Sequence, residues 1–425
     1  MAQIHNLPLE ILEQVFSHVT THSRSRHLCS SLTRSEIPVA HTPNYLSPAS
    51  PYSISHVCRW WRKLALDRSS LWTDLCIVEP RNEGVVYLLN EWVKRARDHP
   101  LHLSLYSKNS APSSVTTTVL KSFLDVVHQC ISFEMEIETP SIYWDRFLQY
   151  TQQPTDLLQS VNVQINKAST ATAAIVLSER LLVNSHNLRY LYWTDAGMGF
   201  SLSNRQSWIH LQELNITTVI NSNFDLTNAL SMCQSLERLT IRDTRISSRN
   251  LLPITLPRLV YLSVSSDRGH HKLINSLTVP SIAELEISGD KDHVLWASIT
   301  GMLERSRVLL RVLSLRDENN PWALWSPDEG LVLEQLSMSC FAALKVLEVE
   351  YHSGERTIEF LTLRPNAGHL PHLQRLVLVF KKSEFQENLF LLSALVNSRL
   401  GAKDVLNYLK FSIKTVKLSL DISSV

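Results

Sequence analysis

Two hydrophobic rhythms meet in this sequence at about Trp72. Before it, apolar positions keep helical spacing. Ile11, Leu12, Val15, Phe16 and Val19 stand at offsets 0, 1, 4, 5 and 8, one stripe of a helix. Pro8 suits the first helical position, and Glu10 lies in the first turn, where the helix dipole favours negative charge. Ile54, Val57, Cys58, Trp61, Leu64 and Ala65 make a second stripe, with Ser53 or Ser55 as its cap and Arg59, Arg62 and Lys63 off it. Asp67 to Ser70 reads as a turn, after which Leu71 and Trp72 return to pack. Helices this few cannot cover two broad stripes on each other, so the apolar residues face either the rest of the chain or a partner.

After Trp72, strands and helices alternate. Residues 74–78 read as a strand. Val85, Leu88, Leu89, Trp92, Val93 and Ala96 read as an amphipathic helix stopped by Pro100, and Leu101, Leu103 and Leu105 alternate as a half-buried strand. Val119 to Cys130 and then Phe133, Met135 and Ile137 repeat this helix–strand step. An apolar-x-x-apolar-x-apolar template then recurs with first positions at Leu158, Leu188, Leu211, Leu236, Leu259, Ile282, Leu310, Leu344 and Leu373, and Ile413 as a further match. Successive first positions differ by 30, 23, 25, 23, 23, 28, 34, 29 and 40 residues. Spacings in the twenties are those of leucine-rich repeats, in which stacked strand–loop or strand–helix units cover one another's apolar faces. The Asn or Cys of the repeat consensus is missing: Ala196, Val219, Thr244, Asp267 and Asp290 stand there. The expected array is therefore irregular. Helices are expected over 173–183, 226–232, 294–303 and 389–396.

Composition narrows the function. The chain has 425 residues, 41 Lys plus Arg against 40 Asp plus Glu, 44% hydrophobic residues and only 10 glycines. A net charge of +1 does not point to a nucleic-acid or anionic-membrane binder. Scarce glycine leaves little for phosphate loops, and no Walker, Gly-x-Ser-x-Gly or His-Glu-x-x-His sequence is present. The six cysteines lie far apart with no Cys-x-x-Cys pair, so free thiols in a reducing compartment are expected. His270 and His271 lack partners at metal-ligand spacing and are expected as surface histidines in a turn. No signal peptide or bilayer-length apolar run is visible. Residues 20–53, rich in Ser, Thr, His and Pro, read as a loop or disordered insertion.

The helical region resembles a known family. Leu7-Pro-x-Glu-Ile-Leu, then Val57-Cys-Arg-x-Trp-Arg-x-Leu-Ala, then Leu71-Trp72, looks like an F-box interrupted by the insertion. The segment Trp92 to Leu105 further resembles F-box proteins of mushroom-forming fungi. The resemblance implies docking on the adaptor Skp1 and, through it, a cullin. It implies Leu7, Pro8, Ile11, Leu12, Val15, Val57, Cys58, Trp61, Leu64 and Trp72 as the partner-facing residues.

The reading is thus an α/β chain: an N-terminal helical F-box over 1–78, then an irregular leucine-rich-repeat-like solenoid with a parallel β-sheet over 79–425. The expected function is a non-catalytic substrate-recognition subunit of an SCF-type ubiquitin ligase, cytoplasmic or nuclear, with no cofactor or metal. Its partners are a Skp1-like adaptor and an unidentified protein substrate, with no nucleic acid or membrane. The alternative is an interaction scaffold outside any ligase; a hydrolase or small-ligand receptor has no supporting motif. Substrate candidates are Trp322 and Trp325 in a polar loop over 316–330, and Arg189, Arg238 and Arg375 among outward strand positions that also include Glu213, Thr240, Glu284, Glu286 and Glu348. A second insertion, Tyr351 to Pro371, is rich in charge and His.

Overall fold

Each template match within the described residues is a strand, and its apolar positions lie inside. A computed structural model of the chain describes residues 8, 10–12, 14–16, 18, 51–108, 114–138, 155–165, 177, 181–182, 185–195, 208–217, 226–242, 252–265, 270–288, 293–316, 329–352, 355–362, 370–381, 389–400, 409–411 and 415–421. The fold is mixed α/β with mostly parallel strand pairing, and the chain divides into two compact units, Met1–Ser207 and Trp208–Val425.

In the first unit, residues 10–12, 14–16 and 18 are helical (α1). Two short helices follow, α2 (Pro51–Ser55) and α3 (Arg59–Asp67), then a 3-10 turn at Ser69–Trp72. Strand β1 (Asp74–Val78) leads through α4 (Gly84–Ala96) to β2 (Leu101–Ser107), and α5 (Ser114–Asp125) leads to β3 (Cys130–Ile137). Strands β4 (Ser160–Ile165) and β5 (Tyr190–Asp195) complete the set. A parallel strand must re-enter from the same end as its neighbour, which is why a helix or long connection separates each pair. The apolar positions fall in phase: Leu75 pairs with Leu103, Leu103 with Phe133, Phe133 with Val161 and Val161 with Leu191. One buried face therefore collects Leu75, Leu103, Phe133, Val161 and Leu191.

The second unit repeats the scheme. Seven strands run parallel in the order β6 (Glu213–Thr217), β7 (Arg238–Arg242), β9 (Tyr261–Ser265), β11 (Glu284–Ser288), β12 (Val312–Arg316), β13 (Val346–His352) and β14 (Arg375–Lys381). Their second template residues form one row: Leu214, Leu239, Leu262, Leu285, Leu313, Leu347 and Leu376. All seven are buried. Helices α6 (Leu226–Met232), α7 (His270–Ser276), α8 (His293–Ser306), α9 (Glu329–Leu336), α10 (Glu355–Leu361) and α11 (Leu389–Leu400) occupy the connections. Short strands β8 (Ile254–Thr255) and β10 (Leu277–Thr278) pair with each other.

Several expectations are corrected. The Ile413 match does not extend the parallel series: β16 (Thr415–Asp421) pairs antiparallel with β14 and with β15 (Leu409–Phe411), a hairpin at that edge. His270 is buried, because α7 starts there and turns His270, Leu273 and Ile274 inward at helical spacing. The insertion at 351–371 contains α10, whose few apolar residues do not stand out from the charge around them, and α9 begins at the end of the 316–330 insertion. The second helical stripe is not one helix but two, broken at His56–Cys58. The expected helices at 226–232, 294–303 and 389–396 are present; of 173–183, only Leu177, Leu181 and Leu182 are described, and they are helical and buried. Most of the insertion and all five consensus-turn positions lie outside the described residues.

Candidate docking surfaces

The break between α2 and α3 has a local cause. Cys58 is extended and its Sγ accepts a hydrogen bond from the Trp61 backbone N–H at 3.4 Å, so Cys58 caps α3. Neither expected serine does so: Ser55 Oγ donates to the Tyr52 carbonyl instead. Arg62 Nε reaches back to the Ser55 carbonyl at 3.0 Å and ties the two helices together.

An aromatic cluster then anchors the helices to α4. Trp72 meets Tyr52 and Trp92 edge-on, at centroid separations of 5.0 and 4.9 Å. Its indole N–H donates to the Ala65 carbonyl at 2.8 Å, which satisfies one of the last carbonyls of α3. Arg95 lies over the Trp72 ring at 4.9 Å, pairs with Glu91 at 3.1 Å and donates to the Tyr52 hydroxyl at 3.3 Å. Burial raises the Tyr52 phenol above its usual range, against the lowering pull of Arg95.

These contacts sort the ten expected partner-facing residues. Leu12, Leu64 and Trp72 belong to the interior: a side chain sealed by its own chain offers no surface to a partner, and Trp72 is 0% exposed. Cys58 and Trp61 are half-buried, and the Trp61 ring packs against Phe16 at 4.8 Å. Pro8 is exposed, while Leu7 lies outside the described residues. Three apolar side chains stand open: Ile11 at 42%, Val15 at 45% and Val57 at 60%. Ile11 and Val15, four apart, share one face of α1. Trp60 is also exposed and was not foreseen; off the apolar stripe, it carries no periodic signal.

A second surface is charged. On the face of the second unit's sheet opposite the leucine row, Glu286 Oε1 accepts from Arg242 at 3.4 Å and from Ser263 at 3.3 Å. Its Oε2 takes the Tyr261 hydroxyl at 3.1 Å and lies 3.6 Å from Arg316. Glu348 joins Arg316 at 4.0 Å to Arg375 at 3.2 Å, and Arg238 pairs with Glu213 at 3.8 Å while covering the Tyr261 ring at 4.0 Å. Burial and the neighbouring Glu286 both raise the Tyr261 phenol. Of the expected substrate residues, Arg238 and Arg375 lie here and Arg189 is exposed in the first unit. Trp322 and Trp325 lie outside the described residues. Arg242, Arg316, Tyr261 and Ser263 were missed, although each sits at a fixed offset from a template leucine.

Among the described residues no group of His, Cys, Asp and Glu is placed to hold a metal ion, and the five described cysteines are free. Burial pushes the Cys76 thiol up to about 12 and Cys340 up to about 11. No helix among the described residues is long and apolar enough to cross a membrane.

These observations define a small helical module with open apolar side chains, packed onto a mostly parallel α/β framework. The F-box-like family matches residues 44–78, so an F-box-like domain occupies α2, α3, the 3-10 turn and β1. The segment Leu7–Phe16 lies outside the matched residues. No curated protein matches the chain.

Proposed function

We propose that this protein is a non-catalytic substrate-recognition subunit of an SCF-type ubiquitin ligase, acting in the cytoplasm or nucleus. The helices within residues 1–78 dock on a Skp1-like adaptor and, through it, a cullin. The strand–helix array of 79–425, an irregular solenoid of leucine-rich-repeat type, holds the protein substrate. Tethering makes ubiquitin transfer nearly intramolecular, and the chemistry belongs to other subunits.

The observation that carries this reading is the set of exposed apolar side chains, Ile11, Val15 and Val57, on or beside the F-box-like helices. Burying each such side chain contributes about 1.5–3 kcal/mol, so a few anchors support association after ordering costs. The test is capture of a purified Skp1 by the full chain. Ile11→Asp with Val57→Asp should abolish capture without changing the melting temperature. Unchanged capture by the folded double variant would remove the docking model. Skp1 capture without any cullin from the native cell would instead favour a scaffold outside a ligase.

A further inference from the structure

The charged face of the second unit has an order set by strand register. One row runs Arg238, Tyr261, Glu284, Val312, Val346, Arg375. The next runs Thr240, Ser263, Glu286, Ser314, Glu348. The third contains Ser265, Ser288 and Arg316, with Arg242 following Ile241 on β7. Small hydroxyl residues therefore form the floor between Arg242 and Arg316, and both guanidinium groups lean inward to the carboxylate of Glu286.

Depth separates the charges. The Glu286 side chain is 7% exposed and Glu348 17%, whereas Arg316 is 36% and Arg375 57% exposed. The carboxylates sit low and hold the arginines; the guanidinium groups form the outer layer. Held this way, an arginine loses little further freedom on meeting a planar oxyanion, the geometry its fork suits best. From β7 to β14 the strip crosses five strand spacings, about 24 Å, the length of roughly seven extended residues. Glu213, Glu284, Glu286 and Glu348 interleave with the arginines, which disfavours a uniformly anionic nucleic-acid backbone.

We infer that this strip, centred on Arg242, Arg316 and Arg375, is the binding site for an extended peptide segment bearing isolated oxyanions, either Asp/Glu carboxylates or phosphorylated residues. The inference deepens the substrate-binding role proposed above and rests on it. Arg316 and Arg375 grip the anionic groups, Glu286 and Glu348 position the guanidinium groups, and Arg238 is held over the Tyr261 ring.

The test uses the full chain and three fluorescein-labelled Gly/Ser peptides of roughly eight residues. One bears two Asp, one two phosphoserines and one two Lys, and binding is read by anisotropy. Either anionic peptide should bind in a salt-sensitive manner and the Lys peptide should not; the stronger anionic arm identifies the source. Arg316→Gln with Arg375→Gln should weaken that binding about tenfold or more. If the double variant fails to fold, Arg375→Gln alone, at the most exposed arginine of the strip, should still weaken it several-fold. Binding of no peptide, equal binding of the Lys peptide, or undiminished binding by the folded variants overturns the site. Skp1 capture is independent of this result. Cellular partners that require the second unit but neither arginine would preserve the proposed function and sink this site alone.

Discussion

The F-box-like helices and the second unit's sheet solve the same problem in opposite ways. Both turn a large apolar face inward, Trp72 with Leu64 and Ala65 in one and the leucine row in the other. They differ in what remains outside. The F-box-like region and α1 leave Val57, Ile11 and Val15 open to water, whereas the sheet leaves arginines already paired with carboxylates. An open apolar group gains from any partner that covers it, so such a surface favours one standing association. A charge pair gains only from a ligand that repays its desolvation, so such a surface discriminates. The proposed division of labour between fixed docking and selective recognition rests on this difference in surface chemistry.

The comparison breaks most readily at the aromatic anchor. Trp72→Ala should destabilise the protein by about 3–5 kcal/mol, because it leaves a cavity between Tyr52 and Trp92 and frees the Ala65 carbonyl. Denaturant unfolding measures this, and a loss below about 1 kcal/mol would mean that Trp72 does not hold the helices to α4. On the outer side of the same helices, Val57→Asp should leave unfolding nearly unchanged yet weaken Skp1 capture about tenfold or more. If stability fell and capture persisted, the inside and outside assignments would be reversed.

On the sheet, Glu286→Gln should destabilise by about 1–3 kcal/mol, since Arg242 and Arg316 would share a neutral amide. Arg375→Gln, at the exposed end, should cost no more than about 1 kcal/mol. A larger loss at Arg375 than at Glu286 would contradict the separation of charges by depth. The effect at the cap is similarly small: Cys58→Ala should lose about 0.5–1 kcal/mol, and Cys58→Ser should restore it. Thermal melts resolve this difference.

Strand phase was readable from the residues. Leu239, Leu262, Leu285 and Leu313 pair with one another because each occupies the same template position, and a side-chain period of two admits no slip when one face is buried. The helical region was less readable. Ile11 and Leu12 are adjacent and equally apolar, as are Val15 and Phe16, and periodicity assigns all four to one stripe. Leu12 and Phe16 turn inward, and Trp61 packs on Phe16. The single helix expected over 54–65 failed for a related reason: spacing cannot show that Cys58 caps a new helix rather than continuing an old one.

The two candidate sites follow the same division. Arg238 and Arg375 stood out as outward polar positions, yet the Glu286 network joins residues far apart in sequence, such as Arg242, Tyr261 and Arg316. Sequence by itself determined the strand–helix alternation, the buried leucine row and the F-box-like motif, because local spacing and adjacent side chains encode them. Only tertiary structure decided which apolar residues of the short helices stay in water and which arginines share a carboxylate. Those outcomes depend on packing between segments that no local pattern connects.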